Sequence, residues 1–204
     1  MRLVFAAIGA LAALVVAGCS PTHGDRFIET GGATSEVLRF ATTTDGRWKV
    51  PLVRGLSWEE TPSGSLLSVR AAEGPTYLVV AHVDGVPPPV DRQRCAQTHR
   101  QQLVVAFAVK GIATTEPEIT VDQRRGEPSP RLHYAVPLQT LTGAAASTFS
   151  WWGYVLDGDR CLGVSATTIV HGNKGNPDQP DPEDLVRLDR VYGVAMDGIA
   201  RAAQ

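Results

Sequence analysis

Histidine, cysteine, carboxylate and serine are the side chains that cut, transfer or coordinate, so their spacing is the first thing to read. The chain holds five histidines; His82, His99, His133 and His171 lie beyond its N-terminal stretch. None of them pairs at HxH, HxxxH or HExxH spacing, so no metal site is written into one turn of helix or strand. Ser165 sits in "GVSAT" (Gly163 to Thr167), which matches only the first half of a hydrolase nucleophile elbow. Thr167 stands where the second glycine belongs, and the stretch reads as strand. "GNKG" at Gly172 to Gly175 is too short to cradle a phosphate. Glu59 and Glu60 adjoin Trp58, an acid pair beside an aromatic platform that would suit a sugar, but neighbours on a strand point to opposite faces. Glu183 and Asp184 are better placed to start a helix. These patterns predict no catalytic constellation, no cofactor and no resident metal.

The cysteines carry more. Leu3 to Gly18 is an unbroken run of apolar residues and glycine after Met1 and Arg2. A membrane span needs roughly 20 apolar residues, and Ser20, Pro21 and Thr22 follow at once, so residues 1–18 read as a secretory signal. Val16-Ala17-Gly18-Cys19 resembles the lipobox of bacterial lipoproteins. The resemblance implies that the Cys19 thiol takes a diacylglycerol and that the chain is cut before it. It implies also that the new amino terminus is acylated, so that the partner at this end is a membrane. Ser20 rather than Asp after the cysteine resembles the pattern for the periplasmic face of an outer membrane, where the cell has one. In a cell with a single membrane, the protein faces outward from it. Beyond the signal the compartment is oxidising, so Cys95 and Cys161 read as one disulfide.

From Cys19 onward the chain has the length of one domain with a sizeable core. The 19 basic residues include Arg2; without it 18 face 21 acidic ones, a net charge of about −3. No concentrated basic face is expected, which argues against nucleic acid as a partner. Residues 19–35 are rich in Gly, Ser and Thr and read as a flexible tether, with no regular structure expected before about Glu36. Residues 36–204 form the globular unit.

Within that unit the patterns alternate between strand and helix. Glu36 to Thr43, "RWKVPLV", "SLLSVRAA" and "TYLVVAHV" read as strands, with turns at Asp45-Gly46 and Glu73-Gly74-Pro75. Trp48, Val50 and Leu52 share one face. After "GVPPP", Asp91 caps a helix on which Cys95, His99 and Leu103 recur every four residues; "VVAFAV" extends it or forms a strand, with Ala106, Phe107 and Lys110 at helical spacing favouring extension, and Gly111 ends it either way. "EITVDQ" and "RLHYAVPLQ" are strands around a loop from Arg124 to Pro130, and "GAAAS" reads as loop. "TFSWWGYVL", Asp157-Gly158 and "RCLGVSATTIV" make a hairpin, followed by a long polar loop from Gly172 to Pro180. Asp181, Pro182, Glu183 and Asp184 open a closing helix with an apolar stripe of Leu185, Leu188, Tyr192, Ala195 and Ile199. Gly193 and Gly198 in it suit close packing on a sheet.

This order predicts an α+β fold, an antiparallel sheet flanked by helices. "RWKVPLV" followed by hairpin strands, with the long C-terminal amphipathic helix, resembles the PsbP-like α/β/α sandwich. The resemblance implies a fold that hosts non-enzymatic accessory proteins. Trp152 and Tyr154 fall on the opposite strand face from Phe149 and Trp151; left uncovered, they would be a binding surface. The expected role is that of a membrane-anchored envelope protein that binds or scaffolds. A carrier of apolar ligands, or a hydrolase or carbohydrate-active enzyme using Glu59, Glu60 and His133, are the alternatives.

Overall fold

The computed structural model describes residues 27–29, 37–124, 126–139, 145–173 and 176–202. The expected signal segment 1–18, the expected lipidation residue Cys19 and most of the expected tether lie outside the described residues. Every strand pair is antiparallel. A small sheet takes β1 (Phe27–Glu29), β2 (Val37–Thr42), β3 (Trp48–Val53) and β12 (Ala200–Arg201) in the order β1-β2-β3-β12. The main sheet takes β4 (Trp58–Glu60), β5 (Leu67–Ala71), β6 (Tyr77–Val83), β7 (Glu118–Arg124), β8 (Glu127–Gln139), β9 (Ala145–Asp157) and β10 (Arg160–Asn173). Their order is β4-β5-β6-β10-β9-β8-β7, with β11 (Asn176–Pro180) folded back on the end of β10. The protein is thus an α+β fold, as the element order predicts.

Three layers follow from the period-two alternation of the central strands. On β10, Leu162, Val164 and Ala166 face one core, which they share with β3, β5 and the C-terminal helix; Cys161 faces the other. On β9, Phe149, Trp151 and Val155 pack into the first core, and Trp152 and Tyr154 belong to the second. Helix α1 (Arg92–Lys110) closes the second core; α2 (Pro182–Gly198) and the small sheet close the first.

Each helix is delimited by its own sequence. Asp91 accepts a hydrogen bond from the Arg94 amide at 2.8 Å, which satisfies one of the free N–H groups at the start of α1. Gly111, at φ 61°, ends α1 in the left-handed conformation, and the Ile112 amide donates back to the Phe107 carbonyl at 3.0 Å. Asp181 caps α2 through the Glu183 amide at 2.9 Å, and Pro182 takes the first turn, where no amide is needed. Leu188, Tyr192, Ala195 and Ile199 are buried as the stripe requires, with Leu185 half-buried.

Two glycines of α2 earn their helix-weakening cost in contact. A Cβ on Gly198 would lie 2.5 Å from Pro51 Cγ of β3, and one on Gly193 would lie 2.9 Å from Arg124 Nη1. Beyond α2, a charge clamp holds β12. Asp157, almost wholly buried between β9 and β10, receives Arg47 from the β2–β3 turn at 3.1 Å and Arg201 from β12. Arg201 also lies over the Trp48 ring, 5.7 Å from its centroid.

Four sequence expectations are corrected. Phe27–Glu29 is a strand paired with β2, although no structure was expected before about Glu36. The predicted loop from Arg124 to Pro130 is a tight hairpin, because β8 starts at Glu127 and carries Pro128 and Pro130 as strand residues. Ala145, Ala146 and Ser147, predicted as loop, extend β9. The polar stretch from Gly172 to Pro180 is the end of β10 and β11, paired through Gly172 and Pro180. In each case a partner strand, rather than local propensity, sets the conformation.

Gly198→Ala is expected to lower stability by about 1–3 kcal/mol through overpacking against Pro51. Gly74→Ala, with open space around it, is expected to stay within about 0.5 kcal/mol. Equal urea midpoints for the two variants would remove the close-packing account.

Candidate functional site

The inner face of α1 is anchored to the sheet by chemistry as well as by packing. Cys95 is joined to Cys161 of β10 by a disulfide, with 6.0 Å between the Cα atoms. One turn on, His99 shares a 3.0 Å hydrogen bond between its Nδ1 and the Tyr154 hydroxyl, and its ring stands edge-on to Trp152 at 4.5 Å. His99 is 3% exposed, and burial pushes its pKa down to about 4, so the ring is neutral. The same burial raises Tyr154 well above its ordinary range, which keeps the hydroxyl protonated. Leu103 and Phe107 complete the inner face, with Phe107 edge-on to Tyr134 at 5.2 Å.

This arrangement overturns the reading of Trp152 and Tyr154 as a binding surface. They are 4% and 0% exposed. The reason is the inner face of α1: Cys95 ties the helix to β10, and His99, one turn on, lies against both rings.

The outer face of α1 is the feature that local spacing did not single out. Val104, Val105 and Val109 are 42%, 60% and 76% exposed. Their exposed neighbours are Gln97, Gln101, Gln102 and Ala108, with the charged Lys110 beside Val109 at the C-terminal end. No acidic residue lies on α1, and its three arginines are held by its own chain: Arg92 by Glu127, Arg94 by Asp91 and Arg100 by Glu116. A largely apolar face on a rigidly held surface helix has the composition of an interface core. The signal for it was legible in outline: "LVVAFAV" supplies apolar residues to both sides of a helix, and only Leu103 and Phe107 can turn inward.

A second concavity, of about 420 Å³, runs between α2 and β7, lined by Arg124, Asp189, Gly193, Val194, Asp197 and neighbours. Arg124 stands at its centre, 2.9 Å from Asp122, 3.3 Å from Asp197 and 3.8 Å from Asp189, with its guanidinium 5.0 Å from the Tyr192 ring centroid. These carboxylates, Asp122 foremost, raise the Arg124 pKa against the opposing effect of burial. Arg131 in turn reaches Asp122 at 3.6 Å and lies over Trp151 at 4.5 Å. The cluster ties α2 to the β7–β8 edge through opposite charges.

The residues proposed for an enzyme are not brought together. Glu59 lies on edge strand β4, paired with Arg70 at 3.4 Å, and Glu60 is next to it. His133 lies on β8 beside Glu118 at 3.8 Å, its pKa lowered by burial and by Arg131. Four strands stand between β4 and β8, a separation of about 24 Å at the usual strand spacing. Ser165 is mid-strand on β10 and 1% exposed, without the sharp turn a nucleophile needs. His171 bonds Asp184 at 3.1 Å, and His82 belongs to β6. Among the described residues, no three His, Cys, Asp or Glu side chains form a group that could hold a metal ion, and no helix is long and apolar enough to cross a membrane.

The layers define the class as an antiparallel α+β sandwich. No family model and no curated protein matches the chain. Among solved structures it is similar to cyanobacterial PsbP (CyanoP) from Synechocystis sp. PCC 6803, studied in solution. The identity is 11%, over 85% of this chain and 98% of that one, with a TM-score of 0.47. The likeness concerns overall arrangement, and no residue's role is carried over from it.

His99 makes the α1 layer sensitive to acid. Its folded pKa lies below the unfolded value of 6.5, so the contribution is intact above about pH 6.5, is lost as pH falls towards 4, and levels off below that. The full loss is on the order of 3 kcal/mol. His99→Gln is expected to flatten that part of the stability–pH curve, measured by urea unfolding. An unchanged slope between pH 6.5 and 4 would show that His99 is not the group responsible.

Proposed function

We propose that the protein is a lipid-anchored, non-enzymatic binding or scaffold protein of the cell envelope, and that the outer face of α1 is its working surface. The anchor rests on the signal-like run ending in Val16-Ala17-Gly18-Cys19. Several acyl chains on Cys19 would hold the protein at the membrane, where a single chain binds only marginally. The observation that carries the binding role is the exposed valine face of a helix whose other side is cross-linked to the sheet. A face held this firmly loses little conformational freedom when a partner covers it, so the contact is not weakened by ordering costs.

Two measurements test this reading. With labelled palmitate in growing cells, label is expected on the native chain and not on Cys19→Ala; label retained on the variant would overturn the anchor. A photoreactive amino acid placed at Val109 is expected to give a discrete protein adduct in intact membranes. The same probe at Val186, which is 67% exposed on α2, is expected to give none. Equal adducts at both positions, or adducts to lipid alone, would remove α1 as the working surface.

A further inference from the structure

Cys95, His99, Leu103 and Phe107 turn one side of α1 to the sheet. Of these, His99 is the residue that can take a charge, and the second core offers no counter-charge for it. Its ring lies between Trp152, edge-on at 4.5 Å, and the Tyr154 hydroxyl at 3.0 Å. β10 adds the cross-linked Cys161, β8 adds Leu132 and Tyr134, β6 adds Val83 and β7 adds Ile119. His82, Glu118, Asp122, Arg131, His133, Asp157 and Arg160 hold the alternate positions of these strands and so stand on the other face of the sheet. Tyr77 and His171 share the inner parity but lie at the far ends of β6 and β10. Asp84, past the end of β6, is exposed. On α1 itself Arg92, Arg94 and Arg100 turn away to Glu127, Asp91 and Glu116.

α1 is tied to the sheet at both ends. One turn before His99, Cys95 is joined to Cys161. Past Gly111, the Thr115 amide donates to the Ala135 carbonyl at 2.8 Å, and the Thr115 hydroxyl accepts from the Ala135 amide at 2.7 Å. Between these ties the inner face is held by apolar contacts of Leu103 and Phe107 and by the bond between His99 and Tyr154. The part of the helix that carries His99 is therefore the part free to move.

We propose that α1 is an acid-opened cover: protonation of His99 tilts the helix about the Cys95–Cys161 link and uncovers Trp152 and Tyr154, while the first core stays closed. A buried charge without a partner is far less stable than the same charge in water. The ring reaches water only when the helix lifts, and the link keeps the lifted helix beside the sheet. The aromatic pair that strand alternation marked as a surface becomes one in acid. The opening is separate from the role of the outer valines and does not depend on what meets them.

Linkage gives the size of the effect. His99 is held down to about 4 in the closed form against 6.5 in water. The open form therefore binds more protons below pH 6.5, and the ratio of open to closed rises about a hundredfold between pH 7 and pH 4.

The test is hydroxyl-radical footprinting of the non-reduced full chain between pH 7 and pH 4, read by mass spectrometry. Trp152, Trp48 and Trp58 are each 4% exposed, and the last two belong to the first core and serve as references. The ratio of Trp152 to Trp48 oxidation is expected to rise at least about tenfold. The ratio of Trp58 to Trp48 and the far-ultraviolet dichroism are expected to stay constant. His99→Gln, neutral throughout, is expected to keep both ratios level. Trp152 oxidation that tracks Trp48 at every pH, or loss of the helical signal in the non-reduced chain, would overturn a tethered local opening. A rise that persists in His99→Gln would overturn His99 as the trigger. Deuterium uptake at the His99 ring carbon in the parent chain gives its titration without a variant. An opening whose midpoint differs from that titration would overturn the trigger as well.

Discussion

The placement of α1 depends on the link between Cys95 and Cys161. It joins the first turns of the helix to a central strand of the main sheet, closing a loop over a sequence separation of 66 residues. In the chain-entropy view such a closure stabilises the fold by about 4 kcal/mol, a large share of a typical domain's net stability. Once that point is fixed, the four-residue period of the helix places His99, Leu103 and Phe107 over Trp152, Tyr154 and Tyr134. It also determines what must point outward. Val104, Val105 and Val109 cannot be turned into the core without breaking the cross-link or withdrawing the buried histidine.

On the other side of the sheet the constraint is steric. α2 crosses close enough that Gly198 touches Pro51 and Gly193 gives way to Arg124. Gly153 of β9 does the same for Tyr192, whose hydroxyl would stand 2.8 Å from a Cβ at that position. Three glycines from two elements thus let α2 lie close to β3, β7 and β9. The Arg124 and Arg131 clusters then use the space at the rim of that layer, stacking their guanidinium groups on Tyr192 and Trp151 while Asp122 bridges the two.

Local signals were enough for the elements whose causes are local. Asp91 and Gly111 bound α1, Asp181 and Pro182 open α2, and the alternation through "TFSWWGYVL" and "RCLGVSATTIV" marks the central hairpin. Cys95 and Cys161 do form a pair. What escaped was decided by distant partners. Pro128 and Pro130 look like breakers until β7 lies alongside them. The end of β10 looks like a polar loop until β11 folds back. Both the cover over Trp152 and Tyr154 and the exposure of the valines depend on which side of α1 the disulfide holds against the sheet. Glu59, Glu60 and His133 were candidates only as residue types, and the strand order puts them far apart.

The order of the small sheet has a mechanical consequence. β1 lies at one of its edges and β12 at the other. Tension on the chain ahead of Phe27 is met first by three residue pairs, Phe27 with Ala41, Ile28 with Phe40 and Glu29 with Arg39. These can peel one at a time from an edge without disturbing Arg47, Asp157 and Arg201, which clamp the opposite edge. The small sheet therefore works as a sacrificial joint. Force entering the chain ahead of Phe27 would meet this one short edge strand before it reached the sandwich that positions α1.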